Sequence, residues 1–352
     1  MSLEIIKPGV NIDFIGRRRL AFAVSACLLL ASVVSIVWHG GLNLGVDFRG
    51  GLLIQARLTD QSVNPARLRE VLTAANLEVS SIQAFGEAGE AEYLINISGG
   101  TTAEGQTLTQ AAARTLNDAF GADNVDLRRE EMVGPKVGDD LQQKALNAIY
   151  YSLLMIIIYI SGRFEKKWLI SAVFVAILLG ALNVVRLFGV GVAALIVTAL
   201  IVTIIACYFL KFSFALGGIL ALLHDVVITT GVFSILGKEI TLSFVAAVLT
   251  IIGYSLNDSI IVFDRIRENN QRLRKLGLPL IINRSINETL SRTILTSGTT
   301  VLALICLYCL GGPVNRDFAL ALLIGVSVGT LSSIFIASPL LLLWENKQPQ
   351  KA

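Results

Sequence analysis

The chain has 352 residues, of which 54% are hydrophobic and only 16% charged, with a formal net charge of +3. Its mean hydropathy is +0.70. A soluble chain of this balance would expose far too much apolar surface, so composition excludes a soluble globular protein and predicts a polytopic helical membrane protein. The net charge says little by itself, because the distribution of Lys and Arg among loops matters more than the sum.

Residues 1–38 contain a short polar segment and the first hydrophobic run, Leu20 to Trp38, directly after Arg17-Arg18-Arg19. No small-x-small cleavage site follows the run, so it is predicted to be an uncleaved anchor with its basic end in the cytoplasm.

Residues 39–138 break the apolar pattern with 13 acidic and 8 basic residues. They lie on the outer side of the first helix and are predicted to form one ferredoxin-like α+β domain in the order strand, helix, strand, strand, helix, strand. Leu52–Leu58 is the first strand. Asn64-Pro65 sets a capping residue before a proline at the first helical position, and Leu68, Val71 and Leu72 supply the apolar stripe. Ser80–Phe85 and Tyr93–Ser98 are strands separated by Gly86–Gly89. A second helix over about Gln106–Phe120 stops at Gly121, and Asn124–Val133 closes the set.

Residues 139–345 are predicted to hold about seven further helices, and 346–352 a cytoplasmic tail. With the first run, eight apolar stretches lie near the roughly 20 residues that cross a bilayer: about 20–38, 141–161, 168–187, 190–210, 212–236, 241–264, 293–311 and 318–343. If all of them span, Arg17–Arg19, then Arg163, Lys166 and Lys167, then the seven Arg and Lys between Arg265 and Arg292 fall on one side. Both termini are therefore expected in the cytoplasm. The basic segment is read as a topology and lipid-headgroup determinant rather than a nucleic-acid site.

The cysteines, Cys27, Cys207, Cys306 and Cys309, all fall in apolar stretches. They read as small buried hydrophobes. No metal cluster, Walker-type sequence or nucleophilic triad is present, so no cofactor and no enzymatic activity are expected.

Asp258 is the informative residue, because an ionised carboxylate deep in an apolar helix is expensive and usually marks an ion or proton path. It lies about 9 Å inside the cytoplasmic boundary at Asp264, at 1.5 Å per residue. Arg292 starts the next long helix at a similar depth, so contact between the two is expected. A static ion pair and a protonation switch both fit that placement, with Asn257 adding polarity that suits a hydrated path. His224-Asp225 lies mid-helix; adjacent helical residues do not face each other, so a simple pair is not expected, and structural and relay roles stand level. In Gly45-Val-Asp-Phe-Arg-Gly-Gly51, the residues Gly45, Asp47, Arg49, Gly50 and Gly51 read as a structural junction. Its glycines permit a tight turn and its charges are expected to bond the local backbone.

Three motifs carry a resemblance: Leu42-Asn-Leu-Gly-Val-Asp-Phe-Arg-Gly-Gly51, the run from Gly253 to Asn269 with Ser-Leu-Asn-Asp-Ser-Ile-Ile-Val-Phe-Asp-Arg-Ile-Arg-Glu at its centre, and Ser291-Arg-Thr-Ile-Leu-Thr-Ser-Gly-Thr-Thr300. Gly311-Gly-Pro313 and Leu323–Thr330 extend the third. Together they resemble the SecF subunit family of the bacterial protein-export machinery, relatives of the RND permeases. One departure stands out: after Gly162-Arg-Phe-Glu165 some 45 mostly apolar residues precede the helix bearing His224-Asp225, room for an extra helix pair or a re-entrant hairpin at 168–210.

The resemblance implies half of an RND permease-like helix bundle in the bacterial inner membrane, with the ferredoxin-like α+β domain periplasmic. A SecD-like subunit would supply the other half, with the SecYEG channel, YidC/YajC-type accessory proteins and a preprotein as further partners. It also implies that Asp258 and Arg292 form a proton relay coupling the proton-motive force to preprotein translocation and release. An RND-type small-molecule exporter is the rival reading, but would need two large periplasmic domains and twelve helices in one chain. A structural scaffold of the translocon is a third.

Overall fold

The computed structural model describes residues 10–60, 63–85, 91–98, 107–273 and 275–343. The first long helix, α1 (Arg18–Trp38), leads through Gly40 and Gly41 to a single turn, α2 (Val46–Arg49). The α/β domain follows as β1 (Gly51–Leu58), α3 (Pro65–Ala74), β2 (Glu78–Phe85), β3 (Glu92–Ser98), α4 (Leu108–Phe120) and β4 (Val125–Val133). The bundle continues with α5 (Pro135–Glu165), α6 (Trp168–Arg186), α7 (Val192–Phe209), α8 (Ser213–Ile235), α9 (Leu242–Arg272), α10 (Leu278–Leu310) and α11 (Gly312–Ser332). A π-helical turn at Ser333–Ala337 carries the last helix on to Leu340.

The domain has the ferredoxin-like topology that its element order demands. All pairings are antiparallel and the sheet order is β2-β3-β1-β4. Alternation in the strands sends Leu52, Ile54, Ile95 and Ile97 to one face, where Leu68 and Leu72 of α3 and Leu108, Ala112 and Leu116 of α4 cover them. Each large side chain buried there contributes about 1.5–3 kcal/mol. The Asn64 carboxamide oxygen accepts from Arg67 N at 2.9 Å, with Pro65 in the first turn, and so starts α3. The expected linker Gly86–Gly89 and the expected helix start at Gln106 lie outside the described residues. Val133 ends the sheet and α5 begins at Pro135, so the expected boundary at 138 falls inside a helix.

Among the described residues seven helices are long and apolar enough to cross a membrane, and the apolar part of α7, Ala194–Phe209, is shorter. Within 168–210 lie α6 and α7, separated by a turn in which Gly189 has φ 77°. The basic segment from Arg265 to Arg292, which lies between two of the apolar stretches, is mostly helical: α9 runs on to Arg272 and α10 starts at Leu278. Hydropathy marks where a helix leaves the membrane, not where it stops. The polar ends of these helices also pair with each other. Asn269 donates to Ser285 Oγ at 3.0 Å and to Glu288 Oε2 at 2.9 Å, and Glu288 accepts from Arg284 at 2.9 Å. Arg265 pairs with Glu268 at 3.0 Å, and Arg267 with Asp264 at 3.5 Å. Part of the basic charge assigned to lipid is thus spent inside the chain.

The two ends of the bundle are distinct. At one end the residues before α1 are tied to α10: Asn283 Oδ1 accepts from Phe14 N at 2.8 Å and Asn287 Oδ1 from Ile12 N at 2.9 Å. At the other end the α/β domain meets the turn between α8 and α9. Ile240 forms a parallel bridge with Leu44, through Gly45 N to Ile240 O at 2.9 Å and Ile240 N to Asn43 O at 2.7 Å. Contrary to expectation, Asp47 bonds a distant backbone rather than its own: its Oδ2 accepts from Leu242 N at 2.8 Å, 195 residues away, and adds to the Thr241 cap at the start of α9. Arg49 is exposed. Gly50 and Gly51 have φ 74° and 151°, and a Cβ on Gly51 would stand 2.3 Å from Ile97 O. Only glycine lets β1 begin there against β3.

Candidate functional site

Two carboxylates lie inside the helix bundle, on adjacent helices. Asp258 on α9 is 1% exposed and Asp225 on α8 is fully buried. Helical spacing explains how α9 and α10 meet around the first. Tyr254 and Asp258, four apart, share one face of α9, and they face Thr293, Ser297 and Thr300 on α10. The Tyr254 hydroxyl donates to Thr296 O, also at 3.0 Å from Thr300 Oγ1. Ser297 Oγ donates to Asp258 Oδ2 at 3.1 Å. Asp258 Oδ1 and Thr293 Oγ1 are buried without a hydrogen-bond partner. A carboxylate with one oxygen bonded and one open can receive a proton or a donor from a further element.

Arg292 is not in contact with Asp258, contrary to the sequence expectation. The direct partner of Asp258 is Ser297, while Arg292 is exposed, yet near enough for its charge to act on the carboxylate. The reason lies in the helix: positions 292 and 297 differ by about 140° around α10, so the two side chains leave on different faces. Arg292 instead lines a cleft of about 450 Å³ together with Asn257, Tyr159, Arg163, Asp264 and Glu288. Asn257, next to Asp258 in sequence, points into that cleft too. The candidate relay therefore has a buried part, Asp258 with Ser297 and Thr293, and an open part, Asn257 and Arg292.

His224 and Asp225 do form a pair, which the rule for neighbouring helical positions had argued against: His224 Nδ1 and Asp225 Oδ1 are 2.9 Å apart. Asp225 Oδ2 accepts from Ser255 on α9 at 2.6 Å and from Ser332 on α11 at 2.8 Å. Gly329 lets α11 come this close, since a Cβ there would lie 3.3 Å from Asp225 Oδ2. His224 Nε2 has no partner. Sequence reasoning missed Ser255 and Ser332; their signal is a small hydroxyl on an otherwise apolar face, which reads equally as a packing residue.

Asp225 thus ties three helices together, and the five junction residues Gly45, Asp47, Arg49, Gly50 and Gly51 sit at the opposite end of α9 from the cleft. Below the membrane carboxylates, Phe164, Phe214 and Phe263 pack ring to ring with centroids 5.1–5.7 Å apart, and Glu165 accepts from Phe214 N at 3.1 Å. Among the described residues no group of His, Cys, Asp and Glu is arranged to hold a metal ion.

Comparison with known proteins gives a consistent answer. The family described as "Protein export membrane protein SecD/SecF, C-terminal" matches residues 113–206 and 185–347, and the "SecD/SecF GG Motif" matches 36–61. The two C-terminal matches overlap at 185–206, within the α6–α7 pair. The chain is 40% identical over 349 residues to the protein translocase subunit SecF of Magnetococcus marinus, covering 99% of this chain and 97% of the relative. It is 37% identical over 343 residues to SecF of Escherichia coli O157:H7, covering 97% and 90%. Among solved structures, SecDF of Thermus thermophilus, a translocon-associated membrane protein, superposes with TM-score 0.68 at 32% identity. That match covers 98% of this chain but 40% of the SecDF chain. The chain belongs to the SecD/SecF family of protein export membrane proteins, with its nearly full-length matches among the SecF translocase subunits, which are not enzymes.

Proposed function

We propose that the chain is an auxiliary subunit of the Sec translocon that works with a SecD partner to couple the proton-motive force to preprotein translocation and release. The observation that carries this reading is the half-open carboxylate of Asp258, 1% exposed and bonded on one oxygen only. The likeness to SecDF, of which this chain spans 40%, supports a SecD partner for the remaining half of the bundle. In this reading the partner completes the site around Asp258 Oδ1.

Protonation of Asp258 from the outer side removes its charge and its attraction for Arg292. Release toward the cleft, which Asn257 and Arg292 line, returns the proton to the inner side. The α8–α9 turn carries the resulting shift to the α/β domain, which holds and releases the emerging chain. Each proton crossing 100 mV supplies about 2.3 kcal/mol, enough to bias a two-state equilibrium about fifty-fold. His224 and Asp225 anchor the helices around which this happens. The membrane is the bacterial inner membrane with both termini cytoplasmic, a placement that the basic residues at the end of the bundle away from the domain support. SecYEG and YidC/YajC-type proteins are the further partners of such a unit.

The test is proton-motive-force-dependent export of a preprotein into inverted membrane vesicles containing Asp258→Asn in place of the wild type. Loss of the force-dependent part, with ATP-driven export retained, supports the reading. Unchanged export leaves only a scaffold, and normal export with altered dye efflux points to an exporter.

A further inference from the structure

The turn between α8 and α9 holds a third buried carboxylate, on the domain side of the bundle. Glu239 is 7% exposed, and its Oε2 accepts from Asn96 Nδ2 on β3 at 2.9 Å. The same Asn96 Nδ2 also donates to Ser81 Oγ on β2 at 2.9 Å. The turn is therefore gripped from both sides, by the sheet through Glu239 and by Asn43 and Gly45 through Ile240.

Two atoms at this contact have no hydrogen-bond partner: Glu239 Oε1 and Asn96 Oδ1. Both are acceptors while the carboxyl is ionised, so neither can satisfy the other. One proton on Glu239 Oε1 changes this, because a carboxylic acid and a carboxamide that share one N–H···O bond are complementary for an O–H···O bond beside it. Unsatisfied buried acceptors are rare, and a single bound ligand that settles two of them is a specific indication of what is missing.

We infer that Glu239 is a proton-binding site in its own right, and that its neutral form pairs with Asn96 to lock the α/β domain onto the helix bundle. The charged groups facing it are Asp47, Asp317 and Lys238. Asp47 accepts from Leu242 N, and Lys238 is paired with Asp317 at 2.8 Å. Burial raises the Glu239 pKa most, the Ser81 hydroxyl and the Asn96 hydrogen bond oppose that, and the charges of Asp317 and Asp47 raise it further.

The direction of the pH effect follows. Glu239 has a higher pKa docked than free in water, so its contribution to docking is fully present below the ordinary carboxyl range. That contribution is lost as the pH rises through the docked value. An acidic compartment on the domain side holds the lock, and deprotonation frees the sheet from the turn that joins the helices of Asp225 and Asp258. This inference stands whether or not Asp258 carries protons.

The test uses the full chain, cysteine-free and in nanodiscs, with spin labels at the exposed positions Asp123 of the domain and Leu310 at the end of α10. Pulsed distance measurements run from about pH 5 to about pH 9 should show a narrow wild-type distribution that broadens at the alkaline end. The undocked population should grow by up to about tenfold per pH unit. Glu239→Gln, a neutral isostere, should stay narrow throughout, and Asn96→Leu should be broad throughout. Infrared difference spectra of wild type against Glu239→Gln at the acidic end of that range should show a carboxylic-acid carbonyl band that the variant lacks. A wild-type distribution independent of pH, a broad Glu239→Gln, or the absence of that band would each overturn the inference.

Discussion

Asp225 on α8 and Ser332 on α11 are joined by a hydrogen bond of 2.8 Å across 107 residues of sequence. With Ser255 on α9 bonding the same oxygen at 2.6 Å, one carboxylate holds three helices in register. Ser255→Ala and Ser332→Ala should each lower stability by about 0.5–1.5 kcal/mol. Because both hydroxyls serve one oxygen, the double variant should depart from the sum of the singles. Asp225→Ala should cost more than either, since it strands His224, Ser255 and Ser332 together. Thermal unfolding in detergent measures all four; strictly additive losses would show that the hydroxyls act independently.

Close helix contact gives a sharper steric forecast. A Cβ on Gly231 of α8 would stand 2.1 Å from Ser32 Cβ on α1, while one on Gly253 of α9 would meet nothing within 4 Å. Gly231→Ala should destabilise the chain by about 1–3 kcal/mol by forcing α1 away. Gly253→Ala should be neutral or stabilising by up to about 1 kcal/mol through helix propensity alone. The same unfolding measurement separates them.

The junction between domain and bundle rests on Asp47. Asp47→Ala removes the acceptor of Leu242 N and leaves Thr241 as the side-chain cap of α9, so it should cost about 1 kcal/mol or less, whereas Asp47→Asn keeps an acceptor and should recover most of it. Gly51→Ala is the harsher change, because both its φ of 151° and the approach of Ile97 O forbid the added carbon. Proteolysis of the folded chain across 39–138 should be accelerated in Gly51→Ala and barely altered in Asp47→Asn.

Arg292 distinguishes a relay from an ion pair that fixes packing. It is exposed at the cleft and acts on Asp258 only through its charge, without contact. Arg292→Ala should leave the melting temperature nearly unchanged, within about 0.5 kcal/mol, while reducing force-dependent export. A large loss of stability would instead show that Arg292 supports the fold.

Much of this was readable in the sequence wherever one local pattern sufficed. Alternation and capping gave the ferredoxin-like order, because Asn64-Pro65 and Gly121 are local signals. Asp258 was legible as a costly charge. What escaped depended on distant segments or on azimuth. Depth along a helix follows from counting residues, but the direction of Arg292 relative to Ser297 depends on how α10 is rotated against α9. Glu239 escaped because its partner Asn96 lies far away on a sheet whose outer face no local pattern assigns. Hydropathy likewise stopped α9 at Asp264, while the pairing of Asn269 with Ser285 and Glu288 carries it on to Arg272.

The most direct measurement is proton flux into liposomes containing this chain together with its SecD partner, read by an internal pH-sensitive dye under an imposed membrane potential. If Asp258 carries the proton, Asp258→Asn lowers the flux to that of protein-free liposomes while melting as the wild type does. Wild-type flux through a correctly folded Asp258→Asn complex would contradict the relay.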